Sequence, residues 1–454
     1  MRRIQENDLD NWWRSPSRKP MILRGARQVG KSTLVRLFAQ KNQLRLMEIN
    51  LERKKNWNSL FASNDIQKIL SEIEGLLDKK IDTSPASKDL IFFDECQATP
   101  SLLSCLRYFL EDLPQLAVIA AGSLLEFTLD HYDAPMPVGR IEFLHLHPMS
   151  FKEFLWAMGE DSLSNRLENF DFSSPLPLST HEKALNYQRQ YLFIGGMPEA
   201  IKNFALYKDP RRVRKIQSEI LEVYRDDFNK YAQKQFHLRL DLVLDYALFH
   251  TGKKVKYSQI SSDFEAKEIK KCIELLSKAK VITKVINTHS QGIPLAAGID
   301  AKSFKFLFLD VGLINVGLKV DWNELLNITE RELLNEGPLA EQFIGQHILH
   351  WQENHQQPEI HYWLRESKAQ AAELDFLVQQ GASLVAIEVK AGSSGAMRSL
   401  HQWNRDIKYK RKKSMRFDLN PPSKFKVKIN DPALKYELLS LPLYLAAYNP
   451  LKLI

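Results

Sequence analysis

The sequence predicts an α/β protein: a parallel-sheet unit first, a mainly helical segment next, and a second α/β unit at the end. Three observations predict it. Short apolar runs alternate with helical patterns over the first 160 or so residues, the signature of strands joined by crossover helices. Residues 25–32 read GARQVGKS between an apolar run and a helical pattern. The last third restarts with a helical pattern at about Pro338–Gln352, followed by three short strand patterns and another helix.

In the first unit, strands are expected at Met21–Arg24, Leu46–Leu51, Leu90–Phe93 and Leu116–Ala121. Helices fill Ser32–Gln40, Ile66–Leu77 and Ser101–Leu113 between them. The Ser/Pro-rich stretch DFSSPLPLST at 171–180 marks a boundary, because such stretches punctuate rather than continue a packed element. The expected division is 1–170, 171–320 and 321–454. Within the middle part, IGGMPEA forces a turn between helices. Leu238–Phe249, YSQISS, Ala266–Lys278 and VITKVINTH then read helix, helix, helix, strand. That order suits a winged helix-turn-helix whose third helix carries Lys267, Lys270, Lys271 and Lys278. A packing module with a solvated lysine face fits it as well. The last third is expected to hold strands at Ile360–Leu364, Leu374–Val378 and Leu384–Val389 and a helix at about Met397–Ile407.

The chain has 454 residues, 44% of them hydrophobic, with 18 Gly and 20 Pro. That composition excludes fibrous and low-complexity classes and leaves room for more than one packed core. Lys and Arg total 63 against 55 acidic residues, a net charge of +8, which favours a polyanionic partner only if the charge is localised. Three cysteines, Cys96, Cys105 and Cys272, with no CxxC pair exclude a disulfide framework and point to a reducing, cytoplasmic setting. The N-terminal segment carries no apolar signal-peptide core. The stretch LLSLPLYLAAY is broken by Pro442 and too short to span a bilayer, so no membrane association is expected.

GARQVGKS satisfies the pattern G-x-x-x-x-G-K-S/T in the context the pattern needs, after a strand and opening a helix. Gly25 and Gly30 let the backbone wrap an anion, and the helix N-terminus adds positive potential. Ala26, Arg27, Gln28 and Val29 complete the loop, and Thr33 follows it. Lys31 would reach the terminal phosphates of ATP, and Ser32 would give Mg²⁺ an oxygen ligand. LIFFDECQ is a buried-strand pattern ending in Asp94–Glu95, so its carboxylates fall at the strand tip where ligands bind in open parallel sheets. Asp94 would support Mg²⁺, and Glu95 would act as general base toward the attacking water. AVIAAGSLL ends at Ser123, which could orient that water or be a simple turn serine. Arg140, beside Gly139, could stabilise phosphate charge, which would call for a homo-oligomer if it acts across a subunit boundary; a structural salt bridge is the other reading.

A second constellation lies near the C-terminus. ELDFLV holds Glu373 and Asp375, IEVK holds Glu388 and Lys390, and Glu341 lies on the preceding helix. Strand alternation puts Glu388 and Lys390 on one face and pairs Glu373 with Asp375. Carboxylates and lysine so arranged suit a divalent metal, with Glu341, Asp375 and Glu388 as ligands, activating water against a phosphodiester. Mutual neutralisation on a two-stranded ribbon is the alternative. Ten basic residues from Arg405 to Lys428, against Asp406 and Asp418, account for the whole net charge. Interleaved with Trp403, Tyr409 and Phe417, they read as a DNA-backbone footprint or a solvated basic loop.

With LRGARQVGKST, FFDECQ, AAGS, GR at 139–140, HPMSFKEF, YLFIGGMPEAI, GPLAEQFI, ELDFLV and AIEVKAG in this order, the chain resembles the AAA+-like P-loop ATPases that carry a C-terminal DUF4143 domain. The resemblance covers nearly the whole chain. It implies an ATP-binding AAA+-like core, a helical and winged-helix middle, and a restriction-endonuclease-like end of the PD-(D/E)XK type. On that last pattern Glu341, Asp375, Glu388 and Lys390 would carry the chemistry, although Leu374–Asp375 stands where the pattern has Pro-Asp. The implied protein is a Mg²⁺-dependent ATPase directing a DNA-binding, nucleolytic C-terminal domain. The alternative is a nucleotide-switched binding module with an inactive nuclease-like domain.

Overall fold

The computed structural model describes residues 1–54, 56–122, 139–231, 236–319, 322, 337–366, 371–390, 392, 397–430 and 433–454. The N-terminal strands are β1 (Met21–Arg24), β2 (Arg45–Asn50), β3 (Asp89–Asp94), β4 (Ala117–Ala121) and β5 (Glu142–His145). They form one parallel sheet in the order β2-β3-β4-β1-β5. Its strands alternate sides as they run. Ile22, Ile91 and Phe93 pack on one face under the helices Ile66–Leu77 and Ser101–Asp112. Leu23, Leu90 and Phe92 pack on the other under the helix Lys31–Lys41. Burial on both faces is why β1 and β3 read as unbroken apolar runs rather than alternating ones. β5 escapes sequence reading because it is four residues long and half-buried at its start, as edge strands are.

Helices Leu178–Ile194, Pro198–Tyr207 and Pro210–Tyr231 follow. The Gly195–Gly196 turn between the first two is a point of close approach. A Cβ on Gly195 would fall 1.9 Å from Asp310 Oδ1 and one on Gly196 2.3 Å from the Met149 carbonyl oxygen. Helices His237–Phe249, Tyr257–Ile260 and Ala266–Lys278 then lead into an antiparallel pair, β6 (Ile282–Thr288) and β7 (Ile299–Phe308).

That pair joins the strands that follow it in one sheet. The remaining strands are β8 (Ile360–Arg365), β9 (Ala372–Gln380), β10 (Ser383–Val389), β11 (Lys412–Asp418), β12 (Ser423–Ile429) and β13 (Leu434–Pro442). With β6 and β7 they make one mixed eight-stranded sheet, β12-β13-β11-β10-β9-β8-β6-β7. The division expected at 320 therefore crosses a shared sheet. Helix Gly337–Trp351 covers one face, packing so close that a Cβ on Gly345 would lie 2.4 Å from Leu307. Helix Arg398–Asp406 covers the other with Leu400 and Trp403, against Leu384 and Ala386.

Candidate functional site

The phosphate loop spans the gap between β1 and the helix Lys31–Lys41 with positive φ at three positions: Gly25 (+153°), Gln28 (+63°) and Gly30 (+94°). Gly25 admits no side chain, since a Cβ would meet the Leu146 carbonyl oxygen at 2.2 Å. Lys31 is buried, and its ammonium donates to the carbonyls of Gly25 (2.9 Å) and Ala26 (2.8 Å), spanning the loop. Ser32 donates through Oγ to Asp94 Oδ1 at 3.0 Å, although 62 positions separate them. Burial pushes the Asp94 carboxyl up; the Ser32 hydrogen bond opposes that, and neighbouring Glu95 adds to it. Glu95 takes the left-handed conformation at φ +54°, a strained choice for a non-glycine residue and a frequent mark of functional positions. Its Oε2 accepts from Gln97 Nε2 at 2.6 Å, which holds the carboxylate in place. A buried cation on a glycine-bounded loop and a hydroxyl–carboxylate pair at its edge fit a nucleotide phosphate with Mg²⁺.

Residues distant in sequence brace the loop. Arg3 is buried and donates to the Val29 carbonyl (2.7 Å), the His147 carbonyl (2.7 Å) and Glu153 Oε1 (2.7 Å). Tyr224 Oη donates to the Arg27 carbonyl at 2.6 Å, and Arg27 forms an ion pair with Asp227. Gln28 and Thr33 are exposed. No local pattern announces Arg3, Tyr224 or Asp227.

Ser123 lies outside the described residues. Arg140 lies at the wrong edge of the sheet for the role expected of it within one chain. Register pairs Met21 with Glu142 and Arg24 with His145, so Arg140 precedes the N-terminal ends of these parallel strands, while the phosphate loop leaves their C-terminal ends. There it is exposed and bound to Glu111 (3.1 Å).

The C-terminal constellation is assembled differently from the expected metal set. His361 pairs with Leu377, but Trp363 pairs with Leu374, so β9 carries one extra residue beside Asp375. The bulge breaks alternation: Leu374 joins the core under the helix Arg398–Asp406, whereas Phe376 joins the core on the opposite face, and bulges re-aim side chains in this way. Glu341 comes from the helix Gly337–Trp351 on that opposite face. Glu388, two residues from Ala386, points to the Arg398–Asp406 side, and its Oε2 is buried there without a hydrogen-bond partner. Asp375 lies near enough to act on both Glu341 and Glu388, but Glu341 and Glu388 stand on opposite sides of the sheet. Among the described residues, no three His, Cys, Asp or Glu side chains group to hold a metal ion.

Two lysines answer these carboxylates. Lys390 pairs with Glu388 at 2.5 Å. Lys305 on β7, 2% exposed, lies 3.4 Å from Glu341 Oε2 and is also paired with Glu373. Asp375 accepts from the Val389 amide through Oδ2 (2.6 Å). Burial raises the Glu341, Asp375 and Glu388 carboxyls from their ordinary values. Burial lowers Lys305, but Glu341, Asp375 and Glu373 together raise it on balance. Sequence reading missed Lys305; the one local signal is a lysine inside the apolar run FKFLF.

The basic run is also not one surface. Arg416 is buried in β11 and paired with Asp418 (3.0 Å), and Lys412 donates to the Ile407 carbonyl (2.5 Å). Lys408, Lys410 and Arg411 are exposed where β11 begins. Lys424, on β12, pairs with Glu437 (3.3 Å).

Residues 17–155 match an AAA domain family. The matched stretch contains β1 to β5, Lys31, Ser32, Asp94 and Glu95. Residues 185–324 match a domain of unknown function, DUF8612, and residues 336–433 match another, DUF4143. No curated protein sequence matches the chain. Similar solved structures include the Aeropyrum pernix ORC2 protein in ADPNP–ADP complexes: 12% identity, 70% of this chain, 94% of that one, TM-score 0.37. Another is the Thermotoga maritima RuvB Holliday junction branch migration motor: 14% identity, 61% of this chain, 85% of that one, TM-score 0.28. Both likenesses are loose. Among the described residues no helix is long and apolar enough to cross a membrane.

Proposed function

We propose that the chain binds and hydrolyses ATP with Mg²⁺ and couples its nucleotide state to a C-terminal unit directed at DNA. The observation that carries the first half is the meeting of Lys31 and the Ser32–Asp94 pair at the ends of β1 and β3, inside a region matching the AAA domain family. In this reading residues 25–33 cradle the phosphates, with Lys31 turning from the Gly25 and Ala26 carbonyls toward them. Ser32 and Asp94 hold Mg²⁺, which when bound neutralises charge on the phosphate oxygens. Glu95, oriented by Gln97, accepts the proton of the attacking water. Arg140 enters only if a second copy presents it, which makes a homo-oligomer part of the proposal. The cytoplasm suits such a protein, whose three cysteines are buried and unpaired.

The test of this half is ATP turnover and ATP binding by the wild type, Lys31→Ala and Glu95→Gln. Unchanged ATP binding by Lys31→Ala would overturn the assignment of the loop.

For the C-terminal unit we take the restriction-endonuclease-like reading of DUF4143, without cutting. The helix, three strands, helix and strand from Gly337 to Asp418 support the fold; the lysine-paired carboxylates favour the binding-module alternative over the nuclease. Three helices followed by the β6–β7 hairpin support a winged-helix middle. The exposed Lys408, Lys410 and Arg411 are the proposed DNA contacts. Supercoiled DNA incubated with Mg²⁺ or Mn²⁺ and ATP should be retained but not nicked. Nicking that Asp375→Ala and Lys390→Ala abolish would restore the nuclease reading.

A further inference from the structure

We propose that the ammonium of Lys305 is the resident cation of the Glu341–Glu373–Asp375 cluster, so that this cluster takes no divalent metal. The inference rests on the restriction-endonuclease-like reading only for the expectation that a metal belongs here; the geometry argues the rest.

The ammonium is enclosed. Lys305 is 2% exposed, with Glu341 at 3.4 Å, Glu373 beside it and the Tyr362 ring centroid at 5.1 Å. The Tyr362 ring is itself buried and fixed by a 2.7 Å hydrogen bond between its hydroxyl and Ser303. A buried ammonium persists only where carboxylates and aromatic faces replace its water. Glu341 is fixed from behind as well. A Cβ on Gly252 would come within 2.9 Å of its Oε2, so the turn after helix His237–Phe249, bonded to β7 through the Gly252 amide, closes over the carboxylate.

The donors a divalent ion would need do not converge on one open point. A hard divalent cation takes six or more oxygen ligands at 2.0–2.6 Å and needs several carboxylates with free lone pairs converging on one point. Asp375 Oδ2 already accepts the Val389 amide at 2.6 Å. Glu388, the partner the sequence pattern offers, faces the other side of the sheet and is held by Lys390 at 2.5 Å. Glu341 and Glu373 meet at the Lys305 ammonium. The fold thus builds a carboxylate cluster and fills its centre with its own cation, contributed by a strand that precedes the nuclease-like unit in sequence.

The experiment is Mn²⁺ titration of the full chain without nucleotide, followed by the electron paramagnetic resonance of free Mn²⁺. An Asp94→Asn background removes any contribution from the phosphate loop. With Lys305 intact, no stoichiometric Mn²⁺ should bind. Lys305→Ser, which clears the centre, should bind about one Mn²⁺ per chain and show a Tm that rises with added Mn²⁺. Adding Asp375→Asn should abolish both effects. Stoichiometric Mn²⁺ binding with Lys305 intact, lost on Asp375→Asn, would overturn the proposal and needs no variant of Lys305 to fold. A folded Lys305→Ser chain that gains no Mn²⁺ would overturn it too. Absent DNA retention in the same samples would sink the DNA-directed reading without touching this one. DNA retained without nicking, with absent Mn²⁺ binding, supports both.

Discussion

The Tyr224 hydroxyl donates a 2.6 Å hydrogen bond to the carbonyl of Arg27, joining the middle of the phosphate loop to the helix Pro210–Tyr231 across 197 positions of sequence. The Arg27 side chain reaches the same helix at Asp227. A ligand that reorganises the loop must therefore act on this helix. ATP should change hydrogen exchange in the described part of Pro210–Tyr231, and Tyr224→Phe should reduce that change. An identical response in the variant would show that the tie transmits nothing.

Lys31→Ala and Glu95→Gln should fail in different ways. Lys31 is the buried cation of the loop, so its loss should weaken ATP binding and turnover together. Glu95→Gln keeps the shape and the Gln97 neighbour, so ATP should still bind while turnover falls by roughly 10²–10⁴, the usual worth of a general base. Nucleotide titration beside steady-state phosphate release separates the two.

Two glycines with positive φ should respond unequally to alanine. At Gly25 the new Cβ meets the Leu146 carbonyl oxygen at 2.2 Å; at Gly139 nothing lies within 4 Å. Gly139→Ala should cost about 1 kcal/mol of conformational strain, and Gly25→Ala more than about 2 kcal/mol. Chemical denaturation of the two variants measures the difference.

His347 should make the protein acid-sensitive. It is buried, accepts the Phe151 amide at Nε2 (2.9 Å) and pairs with the Phe343 carbonyl through Nδ1 (2.7 Å). The ring is therefore held neutral. Burial lowers its pKa from 6.5 to about 3. The unfolded chain then binds a proton that the folded chain refuses between those values, so stability falls as pH drops below 6.5. His347→Gln cannot take that proton and should flatten the fall between pH 7 and 5. An unaltered slope would rule the residue out as its source.

The basic run should divide into two classes. Arg416→Ala strands the buried Asp418 carboxylate and should cost about 3–5 kcal/mol of stability. Replacing exposed Lys408, Lys410 and Arg411 by alanine should leave stability within about 1 kcal/mol. It should weaken DNA retention and reduce its salt slope by up to about 2.7, at 0.9 per phosphate contact. DNA retention with an unchanged salt slope would remove these three residues from the interface.

The sequence by itself determined what is local. GARQVGKS specifies a loop because glycines and a following lysine act within eight residues. LIFFDE specifies a buried strand with a carboxylate tip because both its faces are covered. Helices Ile66–Leu77 and Ala266–Lys278 carry their own periodicity and stand where the pattern puts them. Only the tertiary structure decided which distant groups meet. Parallel register sent Arg140 to the edge away from the phosphate loop. One extra residue in β9 sent Leu374 and Phe376 to cores on opposite faces, while Glu373 and Asp375 stayed together beside Lys305. Strand pairing brought Lys305 from β7 into a cluster read from residues after 340. The physical reason is the range of the constraint: backbone geometry repeats over two to four residues, whereas charge pairing in a buried interior is fixed by packing that no local pattern encodes.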